Sequence, residues 1–170
     1  MKALTMTQPW ATLVAIAQNS IETRSWSTRH RGALAIHSAK GFPRDARELC
    51  GISPYREVLA RAGYSDAAQL PRGEIIAVAT LVDVMKFTRS TLKDIRARAS
   101  RGEFPPHEAD FGDFSAGRYG WVLKDVVQLE EPVPAKGMLG LWELPARVEA
   151  GVLSSVGGIL NSSSHPGISQ

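Results

Sequence analysis

The sequence has one cysteine, Cys50, among its 170 residues, and no long hydrophobic run. A lone cysteine excludes an internal disulfide and a multi-cysteine zinc site within this chain. The longest apolar stretches, such as residues 13–17 and 75–79, fall far short of the roughly 18 residues that a membrane-spanning helix needs. These absences favour a globular protein in a reducing, cytoplasmic setting, without a membrane partner.

Motifs that identify common enzyme classes are also absent. The sequence contains no Gly-x-x-x-x-Gly-Lys or Gly-x-Gly-x-x-Gly phosphate loop and no Gly-x-Ser-x-Gly nucleophile elbow. Its histidines are scattered, and none pairs with another at metal-ligand spacing. One loop carries imidazole and carboxylate groups together, at His107, Glu108, Asp110 and Asp113. Because acidic loops after prolines are commonly solvated, neither a metal nor a cofactor is predicted.

The charge is small overall and unevenly placed. Lys and Arg number 20 and Asp and Glu 17, so the formal net charge is 20 − 17 = +3. Between Glu22 and Arg47 there are six basic and two acidic residues, which gives 6 − 2 = +4 for that stretch. Such a basic stretch suits a partner that carries phosphate. A solvated basic face that binds nothing explains the same pattern equally well.

Hydrophobic periodicity and turn residues predict an α+β domain over residues 1–147 and a flexible tail over 148–170. The predicted strands cover residues 2–5, 33–38, 73–84, 119–129 and 140–144, with a Pro132–Pro134 turn before the last. The predicted helices cover 7–21, 43–50, 54–62 and 90–101, and 103–117 is predicted to be a loop. This irregular alternation favours a small mixed sheet or barrel flanked by helices. After Glu149 the chain has no Asp, Glu, Lys or Arg, and its apolar residues 152, 156, 159 and 160 would order it only by packing on a neighbour.

Two short segments carry candidate binding residues. In Glu22-Thr23-Arg24-Ser25-Trp26, a carboxylate can accept from a base edge, a guanidinium can bind phosphate or base, and an indole can stack. The alternative is an internal Glu22–Arg24 ion pair beside a half-buried Trp26. In Gly117-Arg118-Tyr119-Gly120-Trp121, strand alternation places Tyr119, Trp121 and Leu123 on one face, as core residues. Only Arg118 of that segment is predicted to contact a ligand.

Three motifs follow one another in the first part of the chain: Thr7-Gln8-Pro9-Trp10-Ala11, Ile21-Glu22-Thr23-Arg24-Ser25-Trp26 and Arg31-Gly32-Ala33-Leu34-Ala35-Ile36-His37. Together and in this order they resemble the ASCH domain, a member of the PUA-like superfamily. Pro134-Ala135-Lys136-Gly137 and Gly140-Leu141-Trp142-Glu143-Leu144 extend the resemblance to residue 146. The resemblance implies a PUA-like mixed β-barrel flanked by helices, with a cleft between the first helix and the barrel. In this chain that cleft would hold Trp10, Glu22, Arg24, Trp26, Arg31 and His37.

The resemblance also implies RNA binding and, in some members, ribonuclease activity or amidohydrolase activity on acetylated cytidine. This chain departs from the usual Gly-x-Lys-x-x-Glu-x-Arg motif, because Asn19 occupies the lysine position. Glu22 stands where the amidohydrolases have threonine. An amide cannot act as a desolvated lysine does, although it can hydrogen-bond a base in both directions. The catalytic glutamate of the amidohydrolases has three candidate positions in this chain, Glu74, Glu103 and Glu108.

Three hypotheses follow. The first is a non-catalytic module for RNA, single-stranded nucleic acid or a modified nucleoside or nucleotide. It uses residues in three roles: phosphate contacts from Arg24, Arg31 and Lys40, base-edge contacts from Glu22 and Asn19, and a stacking face from Trp26 or Trp10. The second is a hydrolase of RNA or a modified nucleoside, with Glu22 or His37 as general base and Arg24 or Arg118 stabilising negative charge. The third is a protein-interaction module that keeps the fold without the ligand.

Overall fold

The fold is a six-stranded mixed sheet, curled into a half-barrel and flanked by five helices. The computed structural model describes the backbone of residues 1–162 and the side-chain environment of residues 1–157. The strands are β1 Lys2–Met6, β2 Ile21–Arg24, β3 Gly32–Ser38, β4 Glu74–Lys86, β5 Tyr119–Pro134 and β6 Leu141–Glu143. The helices are α1 Trp10–Ala15, α2 Arg44–Leu49, α3 Tyr55–Arg61, α4 Thr91–Ser100 and α5 Ala146–Ser162. This confirms the predicted α+β, PUA-like architecture.

The sheet has the order β2-β5-β4-β3-β1-β6, with β1 and β3 parallel and the other pairs antiparallel. Successive side chains of a strand point to opposite faces. In β3, Leu34 and Ile36 therefore join a core cluster that includes residues of α1, while Ala35 joins the cluster that contains Val152 of α5. The two helices cover opposite faces, so both sides of the sheet are buried. No helix in the described part of the chain has the length and apolarity to cross a membrane.

Helix α1 is much shorter than the predicted helix over residues 7–21. It ends at Ala15, Ala17 has a positive φ of 56°, and Ile21 begins strand β2. The carbonyl of Leu13 accepts from the backbone amides of both Gln18 and Asn19, at 2.8 and 3.1 Å, which closes the helix end. The apolar residues at 17 and 21 continued the helical period by coincidence, because Ile21 is buried as a strand residue.

The predicted turn at Pro132–Pro134 is also wrong, because strand β5 continues to Pro134. Val133 pairs with Ile75 and Gln128 pairs with Ala77, so the intervening residues of β5 form a bulge. A proline has no N–H to donate to a ladder, and a bulge is where a strand tolerates one. Of the predicted turn residues, only Pro132 lies in this bulge, whereas Val133 and Pro134 pair with Ile75 and Glu74 of β4.

Residues 148–162 are helical, which contradicts the predicted flexible tail from residue 148. Val152 is completely buried, and the half-buried Val148 and Val156 pack in the same cluster. A spacing of four residues places these three valines on one face of α5. The lack of charge suggested a tail, whereas the apolar stripe determines the helix. Residues 163–170 and the side chains of Ile159 and Leu160 lie outside the described residues.

Replacing Val152 by alanine should lower the free energy of unfolding by about 1.5–2.5 kcal/mol, because two fully buried methyl groups are lost. Leu153, which is 53% exposed on the same helix, is the matched control, and its replacement by alanine should change stability little. Urea unfolding of the two variants measures the difference. Equal stabilities would mean that α5 does not pack on the sheet.

Candidate functional site

A cleft of about 560 Å³ lies where the end of β1, the start of α1 and strand β2 meet a loop that precedes β5. We call it the motif cleft, because Glu22 to Trp26 of the second sequence motif line it. It is lined by Thr5, Met6, Thr7, Trp10, Glu22, Thr23, Arg24, Ser25, Trp26, Tyr55, Asp110, Phe111, Gly112, Asp113 and Arg118. Five of the predicted site residues therefore share one cavity: Trp10, Glu22, Arg24, Trp26 and Arg118.

An ion pair between Glu22 and Arg24 forms part of the cleft wall. The two residues are two positions apart on β2, so strand alternation places both side chains on one face. Arg24 Nε lies 2.8 Å from Glu22 Oε1, and Arg24 Nη2 donates to the carbonyl of Thr5 at 2.8 Å. Arg24 thereby links β2 to the end of β1. The internal Glu22–Arg24 ion pair, predicted as the alternative to a ligand-binding role, is thus present, and both of its residues line the cleft.

The Glu22 carboxyl is buried, with its side chain 10% exposed. Burial raises the pKa of Glu22, while the neighbouring Arg24 and, more weakly, Arg118 lower it. The pKa lies above its usual value because desolvation outweighs the two guanidinium charges. A carboxyl with a raised pKa in a cleft can accept or release a proton nearer to neutral pH.

Both guanidinium groups keep unused donor capacity. The Nε atoms of Arg24 and Arg118 are buried, and neither has a well-aligned hydrogen-bond acceptor among the described residues. Arg118 Nε lies 3.2 Å from Asp113 Oδ2, which is an ion-pair distance without the alignment of a hydrogen bond. Because these Nε atoms are buried, contacts of the two arginines with a bound anion or base edge would use the terminal guanidinium nitrogens.

The loop wall of the cleft is fixed through its backbone. Trp10 Nε1 donates to the carbonyl of Phe111 at 2.6 Å, and the Tyr55 hydroxyl donates to the carbonyl of Asp110 at 3.2 Å. The Asp113 amide donates to Thr23 Oγ1 at 3.1 Å. This wall thus takes its position from α1, α3 and β2.

Gly112 allows this loop to approach β2 closely. A Cβ atom at Gly112 would lie 2.7 Å from Thr23 Cγ2 and 2.9 Å from a ring carbon of Phe114. No real Cβ is accommodated at such distances without a shift of its neighbours. A side chain at this position would therefore push the loop wall away from the strand.

Two tryptophans supply the aromatic surface. Trp26 is half-buried and packs edge-to-face on Trp121, with ring centroids 4.7 Å apart. Trp10, also half-buried, packs edge-on against Tyr55 at 6.5 Å. Trp121 and Leu123 are buried in the core, which confirms the prediction for the alternating face of β5. Only Trp10 and Trp26 are left to offer tryptophan surface to a ligand in the cleft.

The motif cleft is not basic. Its lining includes two arginines and three carboxylates, from Glu22, Asp110 and Asp113, so the formal charge is 2 − 3 = −1. This composition suits a group that donates hydrogen bonds, such as a nucleobase edge, better than a cluster of phosphates.

Asn19 does not face the cleft, contrary to its predicted role in reading a base. It is 1% exposed, and in the amide orientation that satisfies its neighbours its nitrogen donates to Glu108 Oε1 at 2.8 Å and to the Ile21 carbonyl at 3.2 Å. Glu108 is fully buried and also accepts from the Ser20 amide and hydroxyl and from the Ile21 amide, at 2.6–2.8 Å. Burial raises the pKa of Glu108, against the hydrogen bonds that lower it. This buried group, the Glu108 anchor, fixes the loop to the start of β2.

Three further predicted site residues lie outside the motif cleft. Arg31 is exposed and lies 3.5 Å from Asp83 on β4. His37 and Lys40 line a different cleft, at the opposite side of Thr5. His37 is at the end of β3, away from where the resemblance suggested, because β3 lies next to β1 and is separated from β2 by β4 and β5. It therefore does not share a cavity with Glu22.

The acidic loop uses its groups separately. Asp110 pairs with His107 at 3.2 Å, Asp113 pairs with Arg118, and Glu108 is turned into the core. Within the described residues, no group of three or more His, Cys, Asp or Glu side chains is arranged to hold a metal ion.

Four of the lining residues that the sequence analysis missed come from distant parts of the chain: Tyr55, Asp110, Phe111 and Gly112. Tyr55 and Phe111 looked like ordinary core residues, and Asp110 belonged to a loop that was examined only for metal ligands. A signal was present in the concentration of aromatic and acidic residues in 103–117. No sequence pattern indicated which strand that loop would cover.

A family model, the ASCH domain, matches residues 4–132. The chain belongs to the ASCH domain family. The match includes every residue named in the motif cleft, so the cleft is part of the family domain and not an addition to it.

Curated relatives and solved structures agree with this assignment. The chain is 24% identical over 148 residues to mouse Activating signal cointegrator 1 and 25% identical over 150 residues to the human protein. In each case the match covers 87% of this chain and 23% of the relative, so the chain spans about a quarter of the relatives' length. The ASCH structure from Zymomonas mobilis aligns with a TM-score of 0.51 at 11% identity, over 90% of this chain and 93% of that one. A tyrosine-to-phenylalanine mutant of the Zymomonas mobilis protein aligns with a TM-score of 0.50, also at 11% identity, over 90% of this chain and 96% of that one. At these identities the structures show a shared fold.

Proposed function

We propose that this ASCH domain binds single-stranded nucleic acid, RNA or a strand with a modified nucleotide, and that a base enters the motif cleft. The observation that carries the proposal is the buried Glu22–Arg24 pair in a cleft that also presents Trp10 and Trp26. Unpaired bases are recognised by stacking on aromatic rings and by hydrogen bonds to their edges. A carboxylate, a guanidinium and an indole, which can make these contacts, line one cavity.

Each group has a distinct role in the proposed complex. Glu22 Oε1 is occupied by Arg24, while Oε2 makes no ion pair or hydrogen bond with the described residues and is available to accept from a base N–H. Arg24 and Arg118 donate to base carbonyl groups or to a neighbouring phosphate through their terminal guanidinium nitrogens, of which only Arg24 Nη2 donates a hydrogen bond among the described residues. Trp26 or Trp10 stacks on the base, and this contributes about 1–3 kcal/mol per base in comparable proteins.

Hydrolysis is the second candidate, and the burial of Glu22 is what favours it. A carboxyl with a raised pKa in a cleft is suited to act as a general base. The lysine-dependent amidohydrolase mechanism is not supported, since Asn19 replaces the lysine and no lysine is among the residues that line the cleft. A ribonuclease that uses Glu22 and Arg118 needs neither lysine nor His37.

A titration with a short mixed-sequence single-stranded RNA, at two salt concentrations and at about pH 5 and about pH 8, tests the proposal. Because the pKa of Glu22 is raised, the carboxylate that accepts from a base forms as pH rises, so affinity should be higher at the higher pH. Affinity should fall with salt at both pH values. In Glu22→Gln the pH dependence should disappear, because the amide does not titrate.

Each mixture is then run on a denaturing gel. Intact RNA favours the binding module, whereas cleavage that is lost in Glu22→Gln favours the hydrolase. An absence of binding at low salt at both pH values would contradict the proposal and favour a protein-interaction module.

A further inference from the structure

A second cleft, of about 1160 Å³, lies on the other side of Thr5 from the motif cleft. It is formed by the end of β3, the start of β4, the end of β5 and the loop 135–139. We call it the basic cleft. Thr5 lines both clefts: its carbonyl accepts from Arg24 on one side, and its hydroxyl donates to the Met138 carbonyl on the other.

The basic cleft has the charge that the motif cleft lacks. Lys40, Arg72 and Lys136 line it with a single carboxylate, Glu74, so its formal charge is 3 − 1 = +2. All three cations are exposed, and in the described part of the chain none of them is in an ion pair. Three cations that line one cleft without an ion-pair partner among the described residues suit a phosphate group.

Its walls are apolar beside these charges. Pro134 and Ala135 end the β5 side, while Met138 and Leu139 stand 57% and 98% exposed on the adjoining loop. Leaving a leucine side chain fully in water forgoes the stabilisation that its burial would give. Apolar walls next to a cationic edge fit a ligand with a flat apolar body and a phosphate.

A buried hydrogen-bond acceptor lies under the loop. His37 is 1% exposed, and its Nε2 donates to the Ala135 carbonyl at 3.1 Å, so Nδ1 is the acceptor nitrogen. Nδ1 is buried and has no partner among the described residues. Gly137 covers it so closely that a Cβ there would lie 2.4 Å from the ring. A buried acceptor without a donor costs stability, and a base N–H that displaces Gly137 would satisfy it.

We infer that the basic cleft binds a nucleotide. Its phosphate lies on Lys40, Arg72 and Lys136, and its base lies against Pro134 and Leu139 with an N–H directed to His37. A free nucleotide and a nucleotide within a strand present the same chemistry. If the nucleotide belongs to a strand that crosses Thr5 and also occupies the motif cleft, the inference rests on the proposed function.

The first test is an amide chemical-shift titration with adenosine 5′-monophosphate, with adenosine and with an adenylate octamer at low salt. We expect the monophosphate to shift the amides of Gly73 and Gly137 and to bind about tenfold more tightly than adenosine, which lacks the phosphate. Shifts restricted to Gly112 and Thr23 of the motif cleft would overturn the inference and leave the proposed function intact. If the octamer, like the monophosphate, shifts only the amides of Gly73 and Gly137, the inference is supported and the proposed function is contradicted.

The second test uses Arg72→Ala and Lys136→Ala, which remove exposed side chains without hydrogen bonds or ion pairs in the described structure. Each should weaken binding of the monophosphate or of the octamer by about fivefold. If a variant binds both probes, or the monophosphate alone, more weakly, the cleft accepts a free nucleotide. If it binds only the octamer more weakly, the cleft accepts a strand. Arg96→Ala and Lys93→Ala, exposed positions on α4, are the matched controls and should bind as the unaltered chain does. If Arg72→Ala and Lys136→Ala bind both probes with unchanged affinity, the basic cleft is not a nucleotide site.

Discussion

Replacement of Glu108 by alanine is expected to lower the free energy of unfolding by about 3–4 kcal/mol, more than the other substitutions considered for this chain. The carboxylate accepts from the Ser20 amide, the Ser20 hydroxyl and the Ile21 amide, and from Asn19. Alanine leaves these buried donors without an acceptor, and each buried unsatisfied donor costs about 1–3 kcal/mol before relaxation. Urea unfolding at neutral pH measures the loss.

The control for Glu108 is in the same loop. Glu103 is an exposed carboxylate paired with Arg98 and Arg101, and exposed ion pairs contribute about 0–1 kcal/mol. Glu103→Ala should therefore leave stability nearly unchanged. If the two variants unfold at the same urea concentration, the Glu108 anchor does not exist in solution as the structure describes it.

Replacement of Arg24 by alanine is expected to weaken RNA binding by about tenfold to a hundredfold, because charge-assisted hydrogen bonds to a ligand contribute about 1.5–3 kcal/mol. The same change leaves Glu22 buried without its partner and breaks the hydrogen bond to the Thr5 carbonyl. We expect a loss of about 2–3 kcal/mol in stability, below the value for a fully buried pair because the Arg24 side chain is 23% exposed. The loss should be larger at high pH, where the isolated carboxylate is ionised.

Two variants separate charge from geometry in this experiment. Arg24→Lys keeps the positive charge but not the planar fork, so it should recover stability more fully than RNA affinity. Arg29→Ala removes an exposed arginine from the same basic stretch, outside both clefts, and should reduce affinity slightly or not at all. If Arg24→Ala bound RNA as tightly as Arg29→Ala does, Arg24 would have no role in the proposed site.

The sequence predicts an element well when its hydrophobic pattern agrees with the way the element is buried in the fold. Residues 73–84 contain the run Ile75–Ala79, in which every residue is Ile, Val or Ala, and the strand β4 is found there because it is buried in the middle of the sheet. Residues 7–21 also have a regular period, yet Ile21 belongs to β2, since a bond network from Leu13 and Glu108 ends the helix early. The periodicity of residues 7–21 cannot predict this end, because the carboxylate that bonds to the start of β2 belongs to Glu108, far away in the sequence.

In the candidate site too, some contacts follow from the local sequence and others depend on distant parts of the chain. Glu22 and Arg24 come together because they are two residues apart on one strand, which the sequence itself specifies. Their association with Asp113 depends on a loop that comes 90 residues after Thr23 in the chain. The separation of His37 from Glu22 depends on strand order, since β3 lies next to β1 and β2 lies at the sheet edge beside β5. Neither relation is encoded in local patterns.

The loop wall of the motif cleft is attached through main-chain atoms at residues 110, 111 and 113. None of these three bonds uses a side-chain atom of the loop, although the loop needs glycine at position 112 and Asp113 accepts from Ser115. The side chain of Asp110 is exposed at the cleft, where it pairs only with His107 among the described residues. Replacement of Asp110 by asparagine would therefore remove one negative charge from the cleft while the carbonyl that accepts from Tyr55 keeps its place, so the charge of this wall can change without a change in its course.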